Sequence, residues 1–301
     1  MKQANALIID HQQLKGSYRL LTLKVPEIAV FAKPGQFVHV RCGQTLEPLL
    51  RRPISIHKIE ADRGELSLLY QVVGRGTQLL AEKQPGDQVD IMGPLGRGFT
   101  LPEWVNRAVV VGGGIGAAPL LSLVETLVIA KVETTVILGA RSGELLIGVE
   151  PMADLGVQVI TVTEDGSVGQ PGLVTAALKQ LLHQVKVEEN NKLDYLYSCG
   201  PKPMLKAVTA LALEYNLPGE VSLEERMGCG VGACLACVCK VRKQEQMEPA
   251  TGLLKESELG PESGAGASSC SVNEPVASDF SYKRVCDHGP VFSLGEVVWD
   301  D

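Results

Sequence analysis

Glu224-Glu225-Arg226-Met227-Gly228-Cys229-Gly230-Val231-Gly232-Ala233-Cys234-Leu235-Ala236-Cys237-Val238-Cys239 is the stretch around which this chain is organised. It holds four of the eight cysteines, and Cys229, Cys234 and Cys237 stand in the order C-x4-C-x2-C. That spacing is one of the thiolate patterns that grip a [2Fe–2S] cluster, with a fourth cysteine arriving from further along the chain. The interleaved Gly228, Gly230 and Gly232 let the backbone coil tightly and aim amide N–H groups at sulfur. Two other readings compete. Zinc prefers two pairs of closely spaced ligands, and there is no second CxxC. A disulfide set needs an oxidising compartment, which nothing in the chain indicates.

Working outward, 301 residues are enough for two or three domains. With 45% hydrophobic and 4% aromatic residues, the composition is that of a globular protein with real cores. The net charge of -7, with no basic run, argues against nucleic acid as a partner. Met1-Lys2-Gln3-Ala4-Asn5 does not lead into a signal-peptide core. Glu125, Lys131 and Glu133 interrupt the longest apolar run, so no membrane partner is expected. The expected compartment is the cytoplasm, where clustered thiols stay reduced and more often bind metal. No internal repeat is visible.

Before the cysteine stretch the chain changes character twice. In the first hundred residues short β-rich runs follow one another: Tyr18 to Val25, Gln36 to Arg41, Pro53 to Ile59, Glu65 to Val73 and Gln88 to Met92. Pro34-Gly35, Arg63-Gly64 and Pro85-Gly86 mark turns, and the even spacing predicts an antiparallel barrel. Within it, Arg51-Arg52-Pro53-Ile54-Ser55-Ile56 offers guanidinium groups to a phosphate and a hydroxyl to a ring nitrogen. Gly74-Arg75-Gly76-Thr77 opens a short helix, Thr77 to Glu82, with N–H groups available to an anion. Each motif alone also fits solvated charges and a plain turn; together they point to a dinucleotide such as FAD.

From Asn106 strands and helices alternate. Arg107 to Val111 reads as a buried strand, followed by Gly112-Gly113-Gly114-Ile115-Gly116-Ala117-Ala118-Pro119 and a helix from Leu120 to Val128. Gly112, Gly114 and Ala117 fit G-x-G-x-x-A, a phosphate cradle in a strand–turn–helix context. Thr135 to Leu138, Val157 to Val162 and Tyr195 to Tyr197 read as further strands, and Leu173 to Leu182 and Pro203 to Tyr215 as helices. This predicts a doubly wound parallel sheet with ligands at the carboxyl ends of its strands. At those ends Glu164 and Asp165 favour a ribose 2′-hydroxyl and hence NAD, while Arg141 leaves NADP open. Cys199-Gly200-Pro201 ends another strand; Cys199 reads either as a core cysteine or as a sulfur beside the nicotinamide.

After Cys239, the stretch from Gln244 to about Phe280 is rich in Glu, Ser and Gly and reads as a flexible surface insertion. It contains Cys270. Cys286 stands in the ordered-looking Tyr282-Lys283-Arg284-Val285-Cys286-Asp287-His288-Gly289-Pro290-Val291-Phe292 and is the preferred fourth ligand, because a cluster needs a rigid one. His57 and His288 read as surface or packing residues.

The combination resembles a known family, the iron–sulfur flavoprotein electron-transfer subunits of two-subunit, NAD-linked dihydroorotate dehydrogenase. The resemblance runs over nearly the full length. It is carried by Leu50-Arg51-Arg52-Pro53-Ile54-Ser55-Ile56, Gly112 to Gly116, Ser198-Cys199-Gly200-Pro201-Lys202-Pro203-Met204-Leu205-Lys206, Glu224 to Cys234, and Val285 to Phe292. More distantly the chain is similar to the ferredoxin–NADP reductase superfamily, whose R-x-[YF]-S motif maps onto Arg52, Pro53, Ile54 and Ser55. Ile54 replaces the aromatic, which suits the nearer family. The resemblance further implies FAD contacts at Leu69, Tyr70, Gln71, Gly76 and Thr77, and cluster ligands at Cys229, Cys234, Cys237 and Cys286. This family usually has a shorter hairpin between the third and fourth ligands.

The expected fold class is therefore α/β plus all-β, in three parts: an FAD-binding β-barrel over 1–102, an NAD-binding domain over 103–222 (Gly112, Gly113, Gly114, Gly116, Glu164, Asp165, Cys199, Gly200, Pro201), and a small [2Fe–2S] domain over 223–301. The resemblance implies a partner, an FMN-containing catalytic subunit oxidising dihydroorotate in pyrimidine biosynthesis, and a heterotetramer of two copies of each subunit. The alternatives are a reductase subunit of another complex, such as a hydrogenase, a sulfur reductase or a ferredoxin-linked transhydrogenase, or a non-redox zinc-binding interaction protein.

Overall fold

The computed structural model describes residues 1–43, 45, 47–187, 192–243 and 279–299. Six strands form a closed antiparallel barrel: β1 (Lys2–Gln13), β2 (Tyr18–Lys24), β3 (Phe37–Val40), β4 (Arg52–Glu60), β5 (Glu65–Gln71) and β6 (Gln88–Leu95), in the order β1-β2-β5-β4-β3-β6. Two short helices, α1 (Pro26–Ala29) and α2 (Arg75–Ala81), bridge β2 to β3 and β5 to β6. In β6 every second residue is buried, the period-2 pattern of a strand with one face on a core. Val38, Val40, Ile54, Ile56, Leu66 and Leu68 fill the barrel interior.

The sequence reading began the strands at Tyr18 and missed β1. Its inward face contributes only Ala6 and Ile8 to the core, while Leu7 and Ile9 stay exposed. The strand is held by its ladders, from Leu7↔Lys24 on one side and Lys2↔Gly93 on the other, which close the barrel.

The second unit is a seven-stranded sheet in the order β10-β9-β8-β7-β11-β12-β15. Its strands are β7 (Arg107–Gly113), β8 (Glu133–Ala140), β9 (Gln158–Thr163), β10 (Gln170–Pro171), β11 (Tyr195–Cys199), β12 (Gly219–Ser222) and, from the far end of the chain, β15 (Val291–Ser293). All pair in parallel except β15, which runs antiparallel to β12. Helices cover both faces. α3 (Leu120–Ile129) and α4 (Val149–Ala153) pack with Ala108 and Val110 on one side; α5 (Val174–Val187) and α6 (Lys202–Glu214) pack with Val109 and Val111 on the other. The alternation along β7 sends successive apolar residues to opposite cores, which is why this strand reads as a continuous hydrophobic run. Strand order reverses between β7 and β11, so the crevice at their carboxyl ends is a topological switch point.

The rest of the chain is built on β13 (Val238–Arg242) and β14 (Phe280–Arg284), an antiparallel pair with Cys239 opposite Lys283. Through β15, the segment after residue 223 also lends an edge strand to the large sheet. Of the expected insertion at about 244–280, residues 244–278, including Cys270, lie outside the described residues.

Candidate functional site

A cavity of about 400 Å³ opens where the barrel, the glycine turn after β7 and the cysteine segment meet. From β4 it is lined by Arg52, Pro53, Ile54 and Ser55, from β5 by Leu69, Tyr70 and Gln71, and from α2 by Thr77. The expected flavin residues thus share one wall, with Gly76 behind them. A Cβ on Gly76 would stand 2.8 Å from Arg52 Nε, so a side chain there would displace the guanidinium.

The two adjacent arginines divide their tasks. Arg51 is part-buried and pairs with Asp90 at 2.6 Å, while its Nη1 donates to the Asp90 carbonyl at 3.0 Å. Arg52 Nη1 donates to the Leu50 carbonyl at 2.6 Å and meets no carboxylate among the described residues, so its charge remains available to an anion. Tyr70 is anchored at its hydroxyl, which donates to His11 Nε2 at 2.9 Å, while His11 Nδ1 donates to the Lys83 carbonyl at 2.8 Å. Thr77 Oγ1 accepts from the amides of Val73 and Gly74, closing the loop that precedes α2.

The rest of the lining was not foreseen: Phe37, beside Ser55 on the neighbouring strand β3, and Val73, Ile115, Ala118, Ser222, Leu223, Glu224, Glu225, Met227 and Pro290. Glu224, Glu225, Met227 and Pro290 stood inside quoted motifs without a role, and Phe37 carried no signal. Ile115 and Ala118 reach the cavity because Gly114–Ala117 form a single 3-10 turn before α3 begins at Leu120. His57, read as a surface or packing residue, is buried and donates from Nδ1 to the Ala118 carbonyl at 2.7 Å, tying β4 to that turn. Burial pulls its pKa down.

At the switch point Gly112 lies opposite Cys199 in the ladder. A Cβ on Gly116 would stand 2.4 Å from the Cys199 carbonyl oxygen and 2.5 Å from Gly200 Cα, so the turn closes on β11 only with glycine there. Gly113 packs in the same way under Met204, and Gly114 takes a positive φ of 54°. Cys199 itself is 1% exposed, lines neither this cavity nor its neighbour, and has its thiol pKa pushed up by burial. Gly200 and Pro201 line an adjoining cavity of about 260 Å³, which shares Leu223, Glu224 and Glu225 with the first. Glu164 and Asp165 are exposed at the end of β9, and their amides donate to the carbonyls of Ala140 and Arg141. Both carboxylates therefore share one sheet end with the Arg141 guanidinium. Asp165 is engaged by Ser167, whose hydroxyl and amide donate to Oδ1 and hold its carboxyl below the usual range.

The cysteine loop follows directly. Cys229 Sγ accepts from the amides of Val231, Ala233 and Cys234 at 3.2–3.4 Å. Burial alone would raise its pKa, but these amides and the adjacent Cys234 thiol outweigh it and bring the thiol to about 7. Cys286 Sγ accepts from the Gly232 amide at 3.1 Å, and the Cys286 amide donates to Cys237 Sγ at 3.4 Å. The thiols thus stand as two pairs, Cys229 with Cys234 and Cys237 with Cys286. Cys239 sits apart on β13, lines the smaller cavity, and has its pKa raised to about 11, chiefly by burial.

No group of three or more His, Cys, Asp or Glu among the described residues converges to hold one metal ion. Tetrahedral zinc requires its ligands around a single point, whereas a two-iron cluster takes its four thiolates spread over two irons. Two thiol pairs joined by inward amides fit the second. Buried donors without acceptors, on His39 and Arg284, flank the same loop, as the surroundings of an anionic group require. The flavin wall passes a similar test: an uncompensated guanidinium seated on a glycine, beside a mainly apolar cavity, suits a phosphate joined to a ring.

Barrel, doubly wound sheet and cysteine module together define a flavin- and pyridine-nucleotide-linked oxidoreductase with an iron–sulfur module. Family models agree: residues 5–99 match the oxidoreductase FAD-binding domain, 110–210 the oxidoreductase NAD-binding domain, and 224–250 the iron–sulfur cluster binding domain of dihydroorotate dehydrogenase B. The last match ends short of Cys286. The chain is 43% identical over 275 residues to the dihydroorotate dehydrogenase B (NAD(+)) electron transfer subunit of Desulforamulus reducens, covering 91% of this chain and 90% of that one. It is 38% identical over 303 residues to the same subunit of a Geobacillus species, covering 99% of each. Among solved structures, an NADH-dependent reduced ferredoxin–NADP oxidoreductase studied for flavin-based electron bifurcation superposes with a TM-score of 0.76 at 27% identity, over 99% of this chain and 91% of that chain. The ferredoxin reductase of carbazole 1,9a-dioxygenase, at 18% identity and a TM-score of 0.60 over 72% of this chain and 66% of its own, shares the fold. The chain belongs to the family of dihydroorotate dehydrogenase B electron transfer subunits. No helix among the described residues is long and apolar enough to cross a membrane.

Proposed function

We propose that this chain carries electrons from the FMN of a dihydroorotate-oxidising catalytic subunit to NAD+, in pyrimidine biosynthesis. The observation that carries this reading is the shared wall: Met227, two residues before Cys229, and Pro290, four residues after Cys286, both line the cavity bounded by Arg52 and Ser55. The cluster loop and the flavin cavity are one construction.

When bound, FAD supplies one- and two-electron exchange, the cluster one-electron exchange, and nicotinamide a hydride pair. The chain's residues supply position. Arg52, on its Gly76 seat, holds the pyrophosphate. Pro53, Ile54, Ser55, Leu69, Tyr70, Gln71 and Thr77 shape the wall against the ring, with Ser55 presenting its hydroxyl. Cys229, Cys234, Cys237 and Cys286 would hold the cluster, from the two pairs in which they stand. Gly112, Gly113, Gly114 and Gly116 let the nucleotide approach the carboxyl ends of β7 and β11, and Gly200 and Pro201 receive its nicotinamide end with Cys199 packed behind them. Glu164 takes the ribose hydroxyls, beside an Asp165 already engaged with Ser167. The division of labour follows 1–102, 103–222 and 223–301, and two copies of the chain assemble with two of the catalytic subunit.

The test is a coupled assay. The chain is co-expressed with the FMN subunit from the same genome, given dihydroorotate and NAD+, and NADH is followed by its absorbance. NADH formation that stops when the chain is omitted supports the assignment, and light scattering of the complex reads its stoichiometry. If the chain oxidises NADH with an artificial dye but gives no dihydroorotate-dependent signal, the catalytic subunit is the wrong partner.

A further inference from the structure

Among the described residues five buried side-chain polar atoms lack a hydrogen-bond partner, and three of them belong to His39 and Arg284. These residues stand at neighbouring glycines of the cysteine loop. His39, on β3 opposite Pro53, is completely buried. A Cβ on Gly230 would stand 2.7 Å from its Nδ1. Arg284, the last residue of β14, comes from the other module: a Cβ on Gly232 would stand 3.2 Å from its Nε. Gly230 and Gly232 have φ of 71° and 78°, so the loop folds back at both positions; at Gly232 the Asp287 carboxylate that pairs with Arg284 Nη2 also comes close, a Cβ there standing 2.9 Å from its Oδ2.

Neither residue has a protein acceptor for the nitrogen in question. An imidazole carries at least one N–H in either protonation state. The ring of His39 meets Phe37 edge-on at 6.3 Å, and Arg51, which donates to the His39 carbonyl, is itself a donor. Arg284 Nη2 is taken by Asp287 at 2.7 Å, leaving Nε alone. Buried donors are seldom left unpaired, and two beside one loop call for an acceptor with several lone pairs. The cysteine sulfurs do not accept from these nitrogens, whereas the bridging sulfides of a cluster are acceptors of that kind.

We infer that His39 and Arg284 are the side-chain hydrogen-bond donors to the iron–sulfur cluster, and that they raise its reduction potential. The inference rests on the reading of Cys229, Cys234, Cys237 and Cys286 as the cluster ligands. Reduction adds one negative charge to the cluster; N–H donors stabilise that charge and favour the reduced form. His39 makes this contribution from the flavin side, since its ring neighbour Phe37 lines the flavin cavity.

The experiment uses the full-length, cluster-loaded protein and four variants: His39→Leu, His39→Gln, Arg284→Met and Arg284→Lys. Iron content, a potentiometric titration followed by electron paramagnetic resonance, and exchangeable-proton couplings from pulsed resonance in H2O and D2O are measured for each. The expected result is full iron, a lower midpoint potential and one lost exchangeable-proton coupling in both His39→Leu and Arg284→Met, with recovery toward the parent in His39→Gln and Arg284→Lys. Iron-replete variants with the parent's potential and couplings would overturn the inference, the nitrogens then being satisfied by trapped water. If His39→Leu loses its iron, the Arg284 pair decides: a fall in the methionine variant that the lysine variant reverses supports the inference, and no fall overturns it. A parent protein with no iron and no resonance signal overturns the cluster reading itself, and this inference with it.

Discussion

The Gly232 amide donates to Cys286 Sγ at 3.1 Å, joining two residues 54 positions apart. That one bond brings the cysteine loop and the distant fourth thiol into a single site. It predicts a clear ordering among cysteine replacements. Cys286→Ser is expected to abolish the visible absorption and iron content of the cluster while leaving FAD bound. Cys239→Ser, on β13 outside the two thiol pairs, is expected to keep both. Iron and sulfide assays on these variants and on Cys270→Ser check the assignment; cluster loss in the Cys270 variant with retention in the Cys286 variant would refute it.

Flavin retention is expected to depend on the contact between Arg52 and Gly76. Charge-assisted hydrogen bonds contribute about 1.5–3 kcal/mol each, so Arg52→Leu is expected to weaken FAD roughly 10- to 100-fold. Gly76→Val acts on the same guanidinium by pushing it from its seat, while Arg51→Leu breaks the pair with Asp90 and is expected to lower stability more than flavin affinity. Titration of apo-protein by flavin fluorescence, with thermal melts alongside, separates the two effects.

Gly116 governs the nucleotide crevice. A Cβ there meets backbone at 2.4 Å, a clash that no side-chain rotation relieves. Overpacking of this kind costs typically about 1–3 kcal/mol. Gly116→Ala is therefore expected to lower the unfolding midpoint and to raise the KM for NADH, while FAD and iron contents stay at the parent's level. Stopped-flow reduction of the bound flavin by NADH checks it, with dithionite reduction as the control.

Nucleotide choice is expected to rest on Glu164 and Arg141 at the shared end of β8 and β9. Glu164→Ala should narrow the preference for NADH over NADPH, and Arg141→Ala should widen it. The ratio of kcat/KM for the two nucleotides with a dye acceptor reads both directions. A ratio unmoved by Glu164→Ala would place the ribose elsewhere.

Glu220 should contribute a fall in stability as pH rises. This carboxylate on β12 is buried and accepts from the Thr100 amide and hydroxyl, both at 2.9 Å. Burial is the largest influence and raises its pKa above the ordinary 4.5, against the lowering effect of Thr100 and Arg97. The folded chain therefore holds this proton more tightly than the unfolded chain. The stabilisation is complete below the unfolded value and is lost as pH rises from about 4.5 through the raised folded value. Glu220→Gln is expected to flatten that part of the profile. Urea unfolding followed by circular dichroism at a series of pH values checks it, and parallel profiles for the two proteins would contradict it.

Much of the fold was legible because local rules and tertiary packing agree. β7 reads as a continuous apolar run because successive residues fill two different cores, and the glycine turn after it is a local necessity of the close approach to β11. β1 was not legible: a strand that buries only Ala6 and Ile8 on its inner face is specified by the two ladders that flank it. β15 escaped for a related reason, since three residues gain their place only by pairing with β12 at the sheet edge. In the site, Arg52, Ser55 and the cysteines announce themselves by charge, hydroxyl and spacing, whereas Phe37 and His39 look like ordinary alternating residues of a barrel strand.

By itself the sequence determined the chemistry this chain can hold, because thiolate spacing, an arginine and a serine three residues apart and a strand–glycine–helix unit are local arrangements. It also determined the order of the three modules. Only the tertiary structure decided where those modules meet: that Met227 and Pro290 close the cavity begun by Arg52, that Cys286 completes two thiol pairs, and that His39 and Arg284 bring their nitrogens to one loop. Those relations join residues tens to hundreds of positions apart, and burial and hydrogen bonding select them only once the barrel has closed and the sheet has received its last strand.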